Sequence, residues 1–416
     1  MDKEKIKTFK EVWEKSRILF NRDPSLPPHI MVGGCTGSGK SSLLNALLQK
    51  KVFEADFGRP VTRENSEELW RAPDESIDIV VIDAPGFGEA EKITGENKDE
   101  YMQNIYKIAL MKVDLLILVL DANSRALSAE DTFLKHWFNN PRLSEIPVLV
   151  CVNKIDTVPP VRENWTELKN NFNIYAPVSE KEKNLRKLMQ YIRTLNSFER
   201  IPDSCFLLVC AGESFDDNDY QFGIDDLREK IYATLPESVR TVYARALAAA
   251  TLNKKLLKTE AQSIIKKYSA LCSAAVAANF VPASDALVLA PLQIAMIKKL
   301  GDLYGKSLTQ SAVQGILSAV GMSFAGRTLC SFIISCFPGV KNLVGPPLAF
   351  GLTYSIGKLV SELFDRGIEA PDSEIINELA GKCSVERPDE SEMDMALEKY
   401  KQDIDEFKRE LGGAAE

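Results

Sequence analysis

Histidine is nearly missing from this 416-residue sequence, which holds two. The eight cysteines (Cys35, Cys151, Cys205, Cys210, Cys272, Cys330, Cys336 and Cys383) include no C-x-x-C pair and no histidine partner at zinc spacing, so nothing reads as a zinc site. Most stand inside apolar runs, which suits free, reduced thiols of a cytosolic core. An apolar leader is also missing, because the opening stretch MDKEKIKTFKEVWEKSRILF is charged and amphipathic. The expectation is a cytoplasmic protein without a secretory signal. Positive charge is in short supply: the formal net charge of −8 argues against a non-specific polyanion binder. Long unbroken hydrophobic runs are lacking too. Pro282 and Pro291 divide 270–297, Arg327 stops 311–325, and Pro338, Lys341, Pro346 and Pro347 separate 328–337 from 343–356. Each piece falls short of the ~20 residues that a spanning helix needs. There is no internal repeat and no low-complexity tract.

What is present describes a globular chain, with 45% hydrophobic and 26% charged residues. Its length exceeds one ordinary core and suits two domains with accessories. The pattern divides it into an N-terminal amphipathic helix over 1–27, an α/β domain over 28–236, an apolar helical domain rich in alanine and glycine over 237–370, and an acidic tail with a terminal helix over 371–416. The tail holds fourteen acidic against six basic residues, enough to account for the net charge.

Within the second part, apolar runs alternate with helical periodicity. Strands are expected at Ile30–Val32, Ile77–Asp83, Leu115–Asp121, Val148–Asn153 and Phe206–Cys210. These runs are nearly all Val, Ile and Leu without polar alternation, as parallel strands buried on both faces are. Helices are expected near Ser41–Lys50, Glu100–Lys112, Ser128–Asn140, Ser179–Asn196 and Ile224–Leu235, with Ser128 and Ser179 as N-caps. Such alternation predicts a doubly wound, mostly parallel sheet with its site at the carboxyl ends of the strands. Beyond Pro236, Arg240–Lys267 reads as one basic helix opposed only by Glu260.

Three motifs carry chemistry. Gly34-Cys35-Thr36-Gly37-Ser38-Gly39-Lys40-Ser41 is a G-x-x-x-x-G-K-S loop between a predicted strand and a predicted helix. Its glycines let main-chain N–H groups wrap a phosphate at a helix N-terminus; Lys40 neutralises β- and γ-oxygens, Ser41 ligates Mg²⁺ and Ser42 follows in the first turn. Asp83-Ala84-Pro85-Gly86 ends the next predicted strand, which puts Asp83 near the metal and the Gly86 N–H near a γ-phosphate. Asn153-Lys154-Ile155-Asp156 ends a later core strand. There a carboxylate can accept two N–H bonds from guanine that adenine cannot supply, while the Lys154 stem packs on the base. That selects GTP over ATP. Two softer elements complete the set: Thr62, in the segment between the first two motifs, would close on Mg²⁺ and γ-phosphate, and Cys210-Ala211-Gly212 would bring the Ala211 N–H to the guanine oxygen. Lys40, Thr62 and Gly86 are thus the expected catalytic groups, and Ser41, Thr62 and Asp83 the expected metal ligands.

Together these residues resemble the five-motif G domain of translation-factor-class GTPases over roughly Pro28–Pro236. The D-x-P-G form, the Gly58-Arg59-Pro60-Val61-Thr62 stretch and the ending Phe222-Gly223-Ile224-Asp225-Asp226-Leu227 are similar to the Era-like branch. Cys210 departs from the usual serine. From about Arg245 to Gly367 the chain is similar to a YcjF-like helical domain of unknown function, on Val281-Pro282-Ala283-Ser284-Asp285, Pro291-Leu292-Gln293-Ile294-Ala295-Met296, Gly326-Arg327 and Pro338-Gly339. The resemblance implies a Ras/Era-like fold followed by an all-α domain, GTP and GDP as ligands, and Mg²⁺ as cofactor. Phe87 stands where Ras-type enzymes keep a water-positioning glutamine, so slow intrinsic hydrolysis is expected, with Arg59 and Arg63 as possible sources of charge. The apolar helices read either as a soluble bundle or as a bilayer-contacting domain, and partners remain open between an anionic membrane surface met through 240–360, which would make the protein a peripheral one, a homodimer through the G domain, as in a membrane-remodelling GTPase, and a ribosomal RNA, as in a ribosome-assembly GTPase. The last is disfavoured by the lack of a G-x-x-G loop after the G domain and of interleaved aromatic and basic residues. The tail invites a further expectation, an acidic clasp on the basic helix.

Overall fold

The computed structural model describes residues 27–51, 66–71, 78–83, 109, 113–160, 164–212, 214–217, 219–250, 253–278, 285–306, 308, 313, 316, 346–368, 374–375 and 390–412. By contacts, Ser25–Leu256 form one compact unit and Leu257–Glu416 belong to a second.

The first unit is built on a six-stranded sheet: β1 (His29–Gly33), β2 (Ser66–Arg71), β3 (Asp78–Asp83), β4 (Leu115–Asp121), β5 (Val148–Asn153) and β6 (Phe206–Leu208), in the order β2-β3-β1-β4-β5-β6. Five strands are parallel and β2 runs antiparallel to β3 at the edge. The five are those expected from the apolar runs. Leu115–Leu120 of β4 each expose 1% or less, so both faces of the strand are covered, at ~1.5–3 kcal/mol of stabilisation per large side chain. The register pairs Val32 with Asp83, Gly33 with Leu118 and Asp121 with Asn153. Gly33, Asp83, Asp121 and Asn153 therefore end at one edge of the sheet.

The longer helices described in this unit are α1 (Lys40–Leu48), α2 (Ser128–Asn139), α3 (Glu180–Arg193), α4 (Ile224–Thr234) and α5 (Glu237–Ala249), beside one helical turn at Trp165–Leu168 and several 3₁₀ turns. Ser179 caps α3 through a full capping box, its hydroxyl accepting from Glu182 N and the Glu182 carboxylate accepting from Ser179 N. Ser128 does not cap α2: it is the first helical residue, and Leu127, buried at 3% exposure, holds the cap position without a side-chain bond. Burial of that leucine fixes the chain where a hydroxyl was expected to. The helix expected at Glu100–Lys112 lies outside the described residues, apart from Ala109.

Arg228 of α4 ties the far end of α1. Its side chain is 4% exposed, with Nε donating to Leu47 O at 3.0 Å and Nη2 donating to Leu47 O at 2.8 Å and Ala46 O at 3.0 Å. A guanidinium on the last carbonyls of a helix answers both the unsatisfied acceptors and the negative end of the dipole.

The basic segment Arg240–Lys267 is not one helix. It breaks between Ala249 and Lys254, because Asn253 caps a new helix by accepting Leu256 N at 3.3 Å. That helix, α6 (Lys254–Ala278), carries the lysines straight on into the apolar stretch. In the second unit α6 packs with α7 (Asp285–Leu303), α8 (Pro346–Asp365), α9 (Glu390–Lys399) and α10 (Lys401–Gly412). Pro291 does not divide α7 but lies inside it. Gly357 of α8 lets three helices close up: a Cβ there would meet Ile265 of α6 at 2.8 Å and Met296 of α7 at 3.1 Å. Among the described residues no helix is long and apolar enough to cross a membrane.

The expected clasp is found on α6. Lys266 pairs with Glu392 at 2.7 Å and Lys267 with Asp403 at 2.8 Å. The Tyr400 hydroxyl donates to Ser263 O at 3.1 Å, and Ala396, Tyr400, Ile404 and Phe407 are buried. One apolar stripe thus runs through both tail helices, flanked by carboxylates that meet the lysines of α6.

Candidate functional site

The loop after β1 is shaped by its glycines. Gly37 and Gly39 take φ of 83° and 87°, backbone that side chains rarely adopt. Gly34 passes so close to the sheet that a Cβ would strike the Val119 carbonyl oxygen, and one on Gly39 would strike Asn153 Nδ2. The chain therefore turns in close contact with β4 and β5, leaving no room for a side chain at Gly34 or Gly39, and enters α1 at Lys40, with Thr36 and Gly37 at the surface and Ser41 and Ser42 half-buried. The first N–H groups of α1 point into the loop, as a helix N-terminus requires. Lys40 is 8% exposed, and its Nζ donates to Gly34 O at 3.1 Å and Cys35 O at 3.3 Å. The ammonium thus sits inside the ring of main chain that an anion would fill. Ser38 Oγ is buried with no hydrogen-bond partner among the described residues, an unmet polar atom within the same ring.

The Asn153-Lys154-Ile155-Asp156 segment is bonded to that loop. Asn153 Nδ2 donates to Ser38 O at 3.1 Å and Gly39 O at 3.4 Å, and Lys154 Nζ donates to Gly37 O at 2.5 Å. Lys154 takes φ 63° and ψ 35°, left-handed for a residue with a side chain, and starts a 3₁₀ turn over Ile155–Thr157. Local bonds answer that strain: Thr157 Oγ1 donates to Lys154 O at 2.8 Å, and Asn123 Nδ2 donates to Thr157 Oγ1 at 2.7 Å. Asn153 Oδ1 is buried without a partner among the described residues.

The end of the sixth strand closes the far wall. Cys210 N donates to Phe222 O at 2.9 Å and Phe222 N to Cys210 O at 3.0 Å, which sets Ala211 and Gly212 at the mouth of a short loop. Cys210 Sγ donates to Asp156 Oδ1 at 3.1 Å, doing what a serine hydroxyl would do. Burial, with the Asp156 carboxylate beside it, pushes the thiol up to about 12, so it stays a protonated donor. Outside the loop, Trp165, Phe172 and Phe222 meet edge to face at 5.1–5.8 Å, and Trp165 Nε1 donates to Tyr220 O at 2.8 Å.

The structure therefore gathers residues 34–42, 153–156 and 210–212, with Asp83 at the end of β3 on the same edge. Thr62, Gly86, Phe87, Arg59 and Arg63 lie outside the described residues. Sequence reasoning overlooked Asp121, whose carboxylate holds Lys154 Nζ at 2.8 Å. Its signal was a charged residue ending an otherwise apolar strand. No group of His, Cys, Asp or Glu able to hold a metal alone occurs among the described residues, and Cys35, Cys151, Cys205, Cys210 and Cys272 are thiols outside any disulfide.

Residues 29–154 match a family described as 50S ribosome-binding GTPase, and residues 244–363 match a domain of unknown function, DUF697, the helical domain expected from the sequence. The GTPase Era of Fusobacterium nucleatum is 31% identical over 129 residues, 31% of this chain and 40% of the relative. That of Heliobacterium modesticaldum is 30% identical over 225 residues, 51% of this chain and 69% of the relative. An Era structure from Aquifex aeolicus, in a variant bound to GDP and AlF4⁻, is 22% identical, with 50% of this chain and 56% of that one covered and a TM-score of 0.34. The chain spans about 40% of the length of several of the curated relatives it matches. With the Heliobacterium relative 30% identical and covered over 69% of its length, the chain belongs to the Era-like family of P-loop GTPases, and it carries a DUF697 domain behind its G domain.

Proposed function

We propose that this chain binds GTP with Mg²⁺, hydrolyses it slowly, and uses the difference between its GTP and GDP forms to control what its helical unit contacts. The observation that carries the reading is the bonding of Asn153 and Lys154 to the carbonyls of Gly37, Ser38 and Gly39, because it couples a phosphate cradle to a carboxylate that reads guanine. The buried, unpartnered Ser38 Oγ and Asn153 Oδ1 fit polar ligand atoms arriving between them. In this reading Lys40 exchanges its contacts with Gly34 O and Cys35 O for phosphate oxygens, and Asp156, held by the Cys210 thiol, accepts the guanine N–H groups. Ala211 offers its N–H to the guanine oxygen. Magnesium would be held by Ser41, Thr62 and Asp83, and supplies charge neutralisation at the phosphates. Phe87 provides no amide to orient water, so turnover should be on the order of 10⁻⁴ s⁻¹ without a stimulating partner. The switch is tested by limited proteolysis with a non-hydrolysable GTP analogue, GDP and no nucleotide; identical patterns in all three would refute it.

For the helical unit we favour an acidic membrane surface or a protein partner. Lys258, Lys266 and Lys267 are engaged with Asp365, Glu392 and Asp403, so contact with anionic headgroups requires those carboxylates to give way. A ribosomal partner is the second reading, motivated by the description of the matched family. Co-sedimentation with anionic vesicles against co-sedimentation with ribosomal subunits separates the two.

A further inference from the structure

Lys181 belongs to none of the phosphate- or base-reading motifs, yet it is fully buried at 0% exposure, and its Nζ donates to Asp156 O and Val158 O, each at 2.5 Å. We propose that Lys181 is a positioning residue for guanine selection: it clamps the main chain of the turn that carries Asp156 and thereby fixes where the carboxylate meets the base. The proposal rests on the reading of the site as a guanine-nucleotide site.

The position is a costly one for a lysine. Lys181 is the second residue of α3, where the positive end of the helix dipole opposes a cation and favours the acids on either side, Glu180 and Glu182. Burial removes the ammonium from water as well. A residue that local preference and burial both disfavour marks a site that something else has selected. Glu182 does not supply the reason, because its carboxylate accepts from Asn173 N at 2.6 Å and from Val178 N and Ser179 N at 2.8 Å. Those bonds pin the stretch leading into α3. Among the partners of the ammonium are two carbonyls of a turn that begins with Lys154 in the left-handed region. Asp156 is then held at both ends, its main-chain oxygen by Lys181 and its Oδ1 by Cys210 Sγ at 3.1 Å. Selection by paired hydrogen bonds depends on sub-ångström placement of the acceptor, and Lys181 acts on that placement without reaching the base.

The experiment is competitive binding of GTP and ITP to the full chain, displacing a fluorescent GDP, for the wild type, Lys181→Met and Lys181→Gln. Inosine lacks the exocyclic amino group, so the GTP/ITP affinity ratio reports the Asp156 contact and not phosphate binding. For the wild type a ratio of about ten to a hundred is expected. Lys181→Met should bring it to within about threefold of unity, chiefly through weaker GTP binding, and Lys181→Gln, which keeps one donor, should fall between. A merely structural lysine would lower both affinities alike; an unchanged ratio in either folded variant overturns the proposal. Should Lys181→Met fail to fold, Lys181→Gln alone decides. A wild type that binds neither nucleotide refutes the site reading instead, which keeps the two failures apart.

Discussion

Replacing Arg228 by methionine removes a side chain of similar length from a site that is 4% exposed. Leu47 O would lose two donors, and Ala46 O would keep only the longer bond from Gln49 N at 3.3 Å. One buried acceptor left unpaired costs about 1–3 kcal/mol, and losing a cation from a helix C-terminus adds about 0.5–1 kcal/mol. Desolvation of the guanidinium, no longer required, offsets part of this. The net expectation is a loss of about 2–3 kcal/mol in the stability of the first unit. The paired carboxylate sets an internal control. Asp225 is 77% exposed at its 2.6 Å contact, so Asp225→Asn should cost less than about 0.5 kcal/mol. Urea unfolding followed by tryptophan fluorescence, to which Trp137 and Trp165 of the first unit contribute, compares the two. A cost below about 0.5 kcal/mol for Arg228→Met, or an equal cost for both variants, would refute the assignment of the energy to the carbonyls rather than to the ion pair.

Other consequences are equally direct. Gly39→Ala places a Cβ against Asn153 Nδ2 at φ 87°, and should weaken nucleotide binding at least a hundredfold by calorimetry while the far-ultraviolet spectrum stays unchanged. Asp156→Asn replaces an acceptor with an amide that can donate to a 2-oxo group, so affinity should move from GTP toward XTP in the same competition assay. Cys210→Ser should keep GTP affinity within about threefold, and Cys210→Ala should lower it about tenfold, since only the first retains the donor to Asp156. Because the folded Cys210 thiol is raised from 9.0 to about 12, its contribution to stability is complete below about pH 9 and is lost as pH rises through that window. Thermal midpoints between pH 8.5 and 11 should therefore fall less steeply in Cys210→Ala. Glu392→Gln with Asp403→Asn should loosen α9 and α10 by about 1–2 kcal/mol in total, read as faster amide exchange over 390–412 and a weaker salt dependence of that exchange.

Much of the G domain was legible because its strands are covered on both faces and its turns need glycine. β1, β3, β4, β5 and β6 stand where the runs of Val, Ile and Leu do. The edge strand β2 was not legible: SEELWR is mostly polar, and its strand conformation comes from pairing with β3 and not from its own pattern. Ser179 was readable as a cap because Glu182 follows at the capping-box spacing; Ser128 was misread because the buried Leu127 decides that helix start. Asn253, a cap residue by type, stands inside a long basic run whose charge pattern continues across the break that it makes. Pro291 suggests a helix boundary by type, yet α7 runs through it. In the site, residues adjacent in sequence were found and those acting at long range were not. Asp121, Lys181 and Arg228 reach partners 33, 25 and 181 residues away, a distance no local pattern encodes.

Calorimetric titration of the purified chain with GTP and with ATP, each with Mg²⁺, tests guanine selection at Asp156. Stoichiometric GTP binding, no measurable ATP binding, and loss of the GTP signal in Asp156→Ala are expected. Equal affinity for the two nucleotides, or GTP binding that survives Asp156→Ala, would contradict it.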